Sequence, residues 1–219
     1  MIYLVTDRKV VPGGDLVSAV ECALAAVPAG TVRVQLREKD LGGSALFELA
    51  KALVGVCHAR GAELLVNDRL DVALSAGADG LHLGRRGLTP GEVRAVWPQA
   101  SIGVSCHSPL EVAEATRDGA NFVVFGPVFE TPSKVALGLP PVGLGALEAA
   151  CKRTTLPVFA IGGIEPALAA RTREAGAKGV AAIRAIFADL DPGAAAAALL
   201  RGFTAKPPTR SGRARRQEP

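Results

Sequence analysis

The sequence predicts a single-domain α/β fold, a (β/α)8 barrel of the TIM type, on three observations. Eight short apolar or β-branched runs recur along the chain, with stretches of helical spacing between them. Most of the runs are continuously apolar, as parallel strands buried on both faces require. A glycine–alanine pair (Gly61-Ala62, Gly77-Ala78, Gly119-Ala120, Gly176-Ala177) follows a helical stretch and precedes a strand four times. Glycine just past a helix takes the left-handed conformation that ends it, so the repeated unit is helix, glycine stop, short loop, strand. Eight such units in about 200 residues sit near the lower size limit of the barrel. An open doubly wound sheet fits less well, because no dinucleotide fingerprint is present.

The elements follow in order, and each strand's C-terminal end deserves reading, because active sites of this fold lie there. Strand one, Ile2–Thr6, ends at Thr6-Asp7. Strand two, Val32–Arg37, brings Gln35, Arg37 and Lys39 to alternate positions, so all three face one way. Two cations and an amide aimed together suit a pyrophosphate or a carboxylate. The next helix, Ala45–Arg60, gathers Leu46, Leu49, Ala50, Leu53 and Val54 on one face. Strand three, Glu63–Val66, runs into Asn67-Asp68. Asp68 either holds a Mg2+ ion that bridges phosphate oxygens or caps the following helix, Arg69–Ala76. Strand four, Gly80–Leu83, carries His82, read as core-facing. Strand five, Ser101–Ser105, leads into Cys106 and His107; no neighbouring acid completes a triad and no G-x-S-x-G elbow exists. Strand six, Phe122–Phe125, opens the longest irregular stretch, Gly126 to Pro141, where Thr131, Ser133 and Lys134 could close over a phosphate. Strands seven and eight, Pro157–Ile161 and Gly179–Ile183, end at Gly162-Gly163 and at Ile183-Arg184, where barrels of this kind often bind phosphate.

Composition narrows the function. The chain has 219 residues, 49% hydrophobic and 21% charged, in the range of a globular protein. No apolar run approaches the ~20 residues of a membrane span. The N-terminus lacks the basic region and long apolar core of a signal peptide, which predicts a cytoplasmic protein with no membrane partner. The formal charge of +4 belongs to the end of the chain, where five cations face only Glu218 from Ala205 onward. Residues 1–204 form the expected barrel and are net neutral; residues 205–219 form an expected disordered basic tail. The charge therefore does not argue for a nucleic-acid partner, and an aromatic content of 4% leaves little for base stacking. The four cysteines are widely spaced and read as free thiols.

Several segments occur together in one order: Tyr3-Leu4-Val5-Thr6-Asp7, Gln35-Leu36-Arg37-x-Lys39, Asn67-Asp68-Arg69-x-Asp71, Asp79-Gly80-Leu81-His82-Leu83-Gly84, Gly126-Pro127-Val128-Phe129, Thr131-Pro132-Ser133-Lys134 and Ile161-Gly162-Gly163-Ile164. As a set, from about residue 2 to residue 190, the chain resembles the thiamine-phosphate synthase family and its sister group, the thiazole tautomerases. The synthases join a hydroxymethylpyrimidine pyrophosphate to a thiazole phosphate, giving thiamine phosphate and pyrophosphate. The resemblance implies that Gln35, Arg37, Lys39, Asn67, Ser105 and Lys134 hold the pyrimidine pyrophosphate. It implies that Asp68 binds Mg2+, and that Thr131, Ser133, Gly163, Ile183 and Arg184 serve the thiazole phosphate. A homodimer is compatible with it.

One departure stands out. The family carries Gly-Gln-x-Asp after the His-Leu-Gly stretch, and that Asp is a second Mg2+ ligand. Here the segment is Gly84-Arg85-Arg86-Gly87, with Gly87 in the acid's place. Arg85 or Arg86 is a candidate to bind pyrophosphate instead. The alternatives are a thiazole tautomerase, although Pro127 replaces the histidine expected in that group's motif, and a non-catalytic barrel that binds thiamine phosphate.

Overall fold

The computed structural model describes residues 1–131 and 140–205. Eight parallel strands close into a barrel in sequence order, with β8 paired back onto β1. They are β1 (Ile2–Val5), β2 (Val32–Leu36), β3 (Glu63–Asn67), β4 (Gly80–Leu83), β5 (Ser101–Cys106), β6 (Phe122–Phe125), β7 (Val158–Ile161) and β8 (Gly179–Ala182). The helices are α1 (Leu16–Ala25), α2 (Gly43–Ala59), α3 (Leu70–Ala76), α4 (Pro90–Val96), α5 (Pro109–Arg117), α6 (Gly143–Cys151), α7 (Pro166–Glu174), the short α8 (Arg184–Phe187) and α9 (Pro192–Thr204). All four glycine stops have positive φ, between 63° and 100°, as their place after a helix requires.

Strand alternation divides the apolar residues into two cores. Ile2, Leu4, Val34, Leu36, Leu64, Val66, Leu81 and Ile102 point outward and meet the helices. Tyr3, Val5, Leu65, Phe122, Val124, Phe159 and Ala181 point inward and fill the barrel. Three aromatic rings form the inner plug: Phe122 lies edge-on to Tyr3 and to Phe159 at 5.3 and 5.4 Å between centroids. Arg33 stacks over Phe122 and pairs with Glu63 at 3.0 Å, closing the N-terminal end. The open end is therefore the C-terminal one.

The cysteines follow this division. Cys57, on the inner face of α2, and Cys106, at the end of β5, are buried. Burial, reinforced by nearby carboxylates, pushes both thiols up to about 12. At pH 8 such a thiol is thiolate for only about one part in ten thousand, so it is a poor nucleophile. Iodoacetamide at pH 8 is expected to label the exposed Cys22 in the native protein and to leave Cys57 and Cys106 unmodified until denaturant is added. Peptide mapping checks this, and labelling of Cys57 at the rate of Cys22 would contradict the packing.

No helix among the described residues is long and apolar enough to cross a membrane. The last helix ends at Thr204; the expected tail, from residue 206 on, lies outside the described residues.

Candidate active site at the C-terminal mouth of the barrel

The register sends Gln35, Asn67, His82 and Ser105 inward from four successive strands, with Val5↔Gln35, Asn67↔His82, His82↔Gly103 and Ser105↔Val124 as neighbours. Gln35 and His82 are buried; Asn67 and Ser105 are half-buried at the rim of the plug. Arg37 and Lys39 come next along the β2 direction, half-buried and exposed respectively. Gly163 and Ile183-Arg184 follow β7 and β8 at the same end of the barrel. Ser133 and Lys134 lie outside the described residues, and Thr131 is the last residue described before them.

Glu38, between Arg37 and Lys39, is a buried supporting residue that sequence reasoning missed. Its side chain is 2% exposed and accepts from the Thr6 hydroxyl at 2.7 Å, the Arg8 N–H at 3.1 Å and the Arg8 guanidinium at 3.0 Å. The Thr6 hydroxyl oxygen accepts in turn from the Arg37 N–H at 2.9 Å. Arg8 also makes a two-pronged bond to Asp40, which raises the guanidinium pKa and lowers that of the carboxyl. These bonds clamp the loop after β2 to the loop after β1, so the backbone carrying Arg37 and Lys39 is fixed from both sides.

Asp68 has φ 56°, the one described non-glycine residue in the left-handed region. Backbone strain of this kind collects at functional sites. Its Oδ1 accepts from the Gly84 N–H at 2.8 Å and its Oδ2 from the Asn67 side-chain amide at 2.9 Å. It does not cap the next helix: Arg69 stands at that position and makes no side-chain cap bond. The helix-cap role is therefore absent, and the carboxylate instead bridges the ends of β3 and β4. A cavity of about 280 Å³ beside it has Lys39, Asn67, Asp68 and Arg69 on its walls.

Gly87 lies against this carboxylate. A Cβ built at Gly87 would be 2.9 Å from Asp68 Oδ1, so position 87 is where a second acid would meet Asp68. Among the described residues no group of three or more His, Cys, Asp or Glu side chains gathers for a metal. Mg2+ is commonly held by one or two carboxylates with substrate phosphates completing its shell, and the exposed Asp68, beside Asn67 and Lys39, fits the carboxylate part of that pattern. Arg85 points elsewhere: its guanidinium bonds Glu111 on α5 at 2.7 Å. Of the two arginines offered for the pyrophosphate, Arg85 is thus engaged with Glu111 at the surface, and Arg86 is exposed. The same Glu111 accepts from the His107 main-chain N–H, so its contact with His107 builds no catalytic pair.

Two buried groups complete the mouth from below: His82, which faces the core as its sequence position suggested, and Tyr3, whose part the sequence did not reveal. Tyr3 and His82 link Gln35 to Ser105 through hydrogen bonds of 3.3, 3.2 and 2.8 Å. Burial, with the positive charge of Arg37 adding to it, pushes His82 down to about 3, so the imidazole is neutral. Burial raises the Tyr3 phenol far above its usual range.

On the opposite wall, Val128 and Phe129 donate to the carbonyls of Ile161 and Gly162, extending the pairing of β7 past its end. Gly162 and Gly163 have φ 100° and 62°, and a Cβ on Gly163 would come 2.4 Å from the Glu130 carbonyl oxygen. Only glycine allows that approach. The result is a tight loop at the end of β7, the strand paired with β8.

The model of the family described as thiamine monophosphate synthase matches residues 2–186. The chain belongs to that family. It is 50% identical over 201 residues to a Geobacter sulfurreducens protein named as a provisional thiamine-phosphate synthase, a match spanning 91% of this chain and 92% of the relative. It is 41% identical over 200 residues to the thiamine-phosphate synthase of Roseiflexus castenholzii, spanning 91% and 86% of the two. A solved thiamine phosphate pyrophosphorylase from Pyrococcus furiosus superimposes with a TM-score of 0.83 at 31% identity, covering 92% of this chain and 94% of the other. The family's barrel is the fold described above.

Proposed function

We propose that this chain is a pyrophosphate-releasing transferase of thiamine biosynthesis, joining hydroxymethylpyrimidine pyrophosphate to thiazole phosphate to give thiamine phosphate and pyrophosphate. The observation that carries the reading is the convergence of Gln35, Arg37, Asn67, Asp68 and Ser105 at one barrel mouth, in a chain whose family carries this activity. The bond from the pyrimidine methylene carbon to the pyrophosphate oxygen breaks first, and its electron pair leaves with the pyrophosphate. The thiazole nitrogen then supplies the pair for the new C–N bond. Negative charge grows on the leaving group, so cations at Arg37 and Lys39, with Lys134 as the family resemblance implies, would bind the transition state better than the ground state. Asp68 would hold Mg2+ against the pyrophosphate, where the ion supplies further neutralisation. Asn67 and Ser105 orient the pyrimidine substrate. Thr131, Gly163, Ile183 and Arg184, with Ser133 by the family resemblance, serve the thiazole phosphate.

The sequence needs no acid–base pair for this reaction. A tautomerase would, and Pro127 is a buried, non-titrating residue at that group's histidine position. Lys134 gives a direct test. Lys134→Ala is expected to lower kcat about a hundredfold with an unchanged melting temperature, read by steady-state kinetics and thermal unfolding. Wild-type turnover in that variant removes Lys134 from the pyrophosphate site. Isomerisation of a thiazole carboxylate phosphate by the wild-type protein, without any pyrimidine substrate, would favour the tautomerase reading instead.

A further inference from the structure

The hydrogen bonds inside the barrel have a direction. The side-chain amide of Gln35 donates to the Tyr3 phenol oxygen at 3.3 Å. Tyr3 is fully buried, and its oxygen has one other partner among the described residues, His82 Nδ1 at 3.2 Å. A buried hydroxyl proton without an acceptor is costly, so the phenol proton goes to Nδ1. His82 is also buried, and a neutral imidazole carries one N–H and one acceptor nitrogen. With Nδ1 accepting, the proton sits on Nε2 and donates to Ser105 Oγ at 2.8 Å. The Ser105 oxygen is then an acceptor toward the core, and its own proton is left for the mouth.

Each link depends on packing. The Tyr3 ring is held between Phe122 and Phe159. His82 lies beside Gly103, where a Cβ would come 2.8 Å from Nδ1 and 2.4 Å from Phe122 Cζ. The space that admits the imidazole therefore exists because residue 103 has no side chain. Arg37, on the mouth side, adds a positive charge that opposes a second proton on the ring.

We propose that Tyr3 and His82 are positioning residues for the condensation: with Gln35 they form a one-way hydrogen-bond relay that turns the Ser105 hydroxyl into a fixed donor toward the pyrimidine substrate. The proposal rests on the functional reading above. It also defines the substrate atom that Ser105 meets, which must be an acceptor: a ring nitrogen or a pyrophosphate oxygen. A relay of the opposite sense, with the Gln35 amide reversed, would make Ser105 an acceptor and select a donor such as an exocyclic amine.

Two measurements separate these cases. In the wild-type protein labelled with 15N-histidine, long-range 1H–15N spectra at pH 7 are expected to show His82 neutral with the proton on Nε2; His58→Gln and His107→Gln variants assign the signals. A proton on Nδ1, or on both nitrogens, overturns the relay. In kinetics, Tyr3→Phe is expected to lower kcat/KM for the pyrimidine pyrophosphate about tenfold in the wild-type background and less than about twofold in a Ser105→Ala background, because the lost orientation acts through Ser105. KM for the thiazole phosphate should not change. An equal cost of Tyr3→Phe in both backgrounds would mean a packing effect and no relay. If the wild-type protein forms no thiamine phosphate at all, the functional reading fails, and the spectra still decide the direction of the relay.

Discussion

Asp68→Asn is expected to lower kcat about a thousandfold and to raise the Mg2+ concentration for half-maximal rate at least about tenfold, while leaving the fold intact. The substitution is unusually clean here. Asparagine is isosteric with aspartate and tolerates the left-handed backbone that residue 68 adopts at φ 56°. Its side-chain oxygen can still accept from the Gly84 N–H, so the bridge between the ends of β3 and β4 survives. What is lost is one negative charge at the mouth, together with the acceptor of the Asn67 side-chain amide, which must turn over to offer its oxygen to the new NH2. Asp68→Val provides the contrast, since a β-branched residue in that backbone conformation adds about 1–2 kcal/mol of strain. Steady-state kinetics over a Mg2+ series, with thermal unfolding alongside, measure both. A turnover for Asp68→Asn within a few-fold of wild type would show that the carboxylate holds no ion during the reaction.

Glu38→Ala is expected to destabilise the protein by about 3 kcal/mol and to lower kcat/KM for the pyrimidine pyrophosphate about a hundredfold. Removing the buried carboxylate of this half-buried ion pair leaves its partners without the group they were arranged around. Here these are the Thr6 hydroxyl and the Arg8 main-chain and guanidinium N–H groups. The kinetic loss follows from position. Arg37 donates its N–H to Thr6 and Lys39 follows Glu38, so loosening this clamp lets both cations drift. Glu38→Gln keeps an acceptor and should fall between the two. Urea unfolding and kinetics above saturation with thiazole phosphate make the comparison. Loss of stability with unchanged kcat/KM would confine Glu38 to a structural role.

The strands were legible because each is buried on both faces and so reads as a short apolar run. The differences are one residue at an end. Asn67 and Cys106 continue strands that the sequence pattern closes at Val66 and Ser105, because a polar or weakly apolar residue can still pair, as Asn67 does opposite His82. The mouth was legible in part for the same reason: polar residues scarce in the strands gather at their ends, and Gln35 and Arg37 alternate on one face. The supporting groups were not legible. Tyr3 and His82 are 79 positions apart, and only the closed barrel sets them across the same interior. Glu38 stands between two cations and looks like part of a solvated loop; its partners, Thr6 and Arg8, come from a different strand's loop. Asp68 was ambiguous because a strand-end aspartate suits a helix cap and an ion equally; the structure puts Arg69 at the cap position, and the Mg2+ series tests the ion.

The same logic applies to the missing acid. Gly87 reads in the sequence as a lost ligand, and two adjacent arginines suggest a replacement. The structure places Gly87 against Asp68 and sends Arg85 to Glu111. Asp68 therefore stands without a second acid at position 87, and Arg86 is exposed beside it in sequence.

The most direct test is product formation by the purified full-length chain from hydroxymethylpyrimidine pyrophosphate and thiazole phosphate with Mg2+ present. Thiamine phosphate and pyrophosphate should appear together in equal amounts, and neither should accumulate when one precursor is omitted. Tight binding of both precursors with no thiamine phosphate formed would contradict the account.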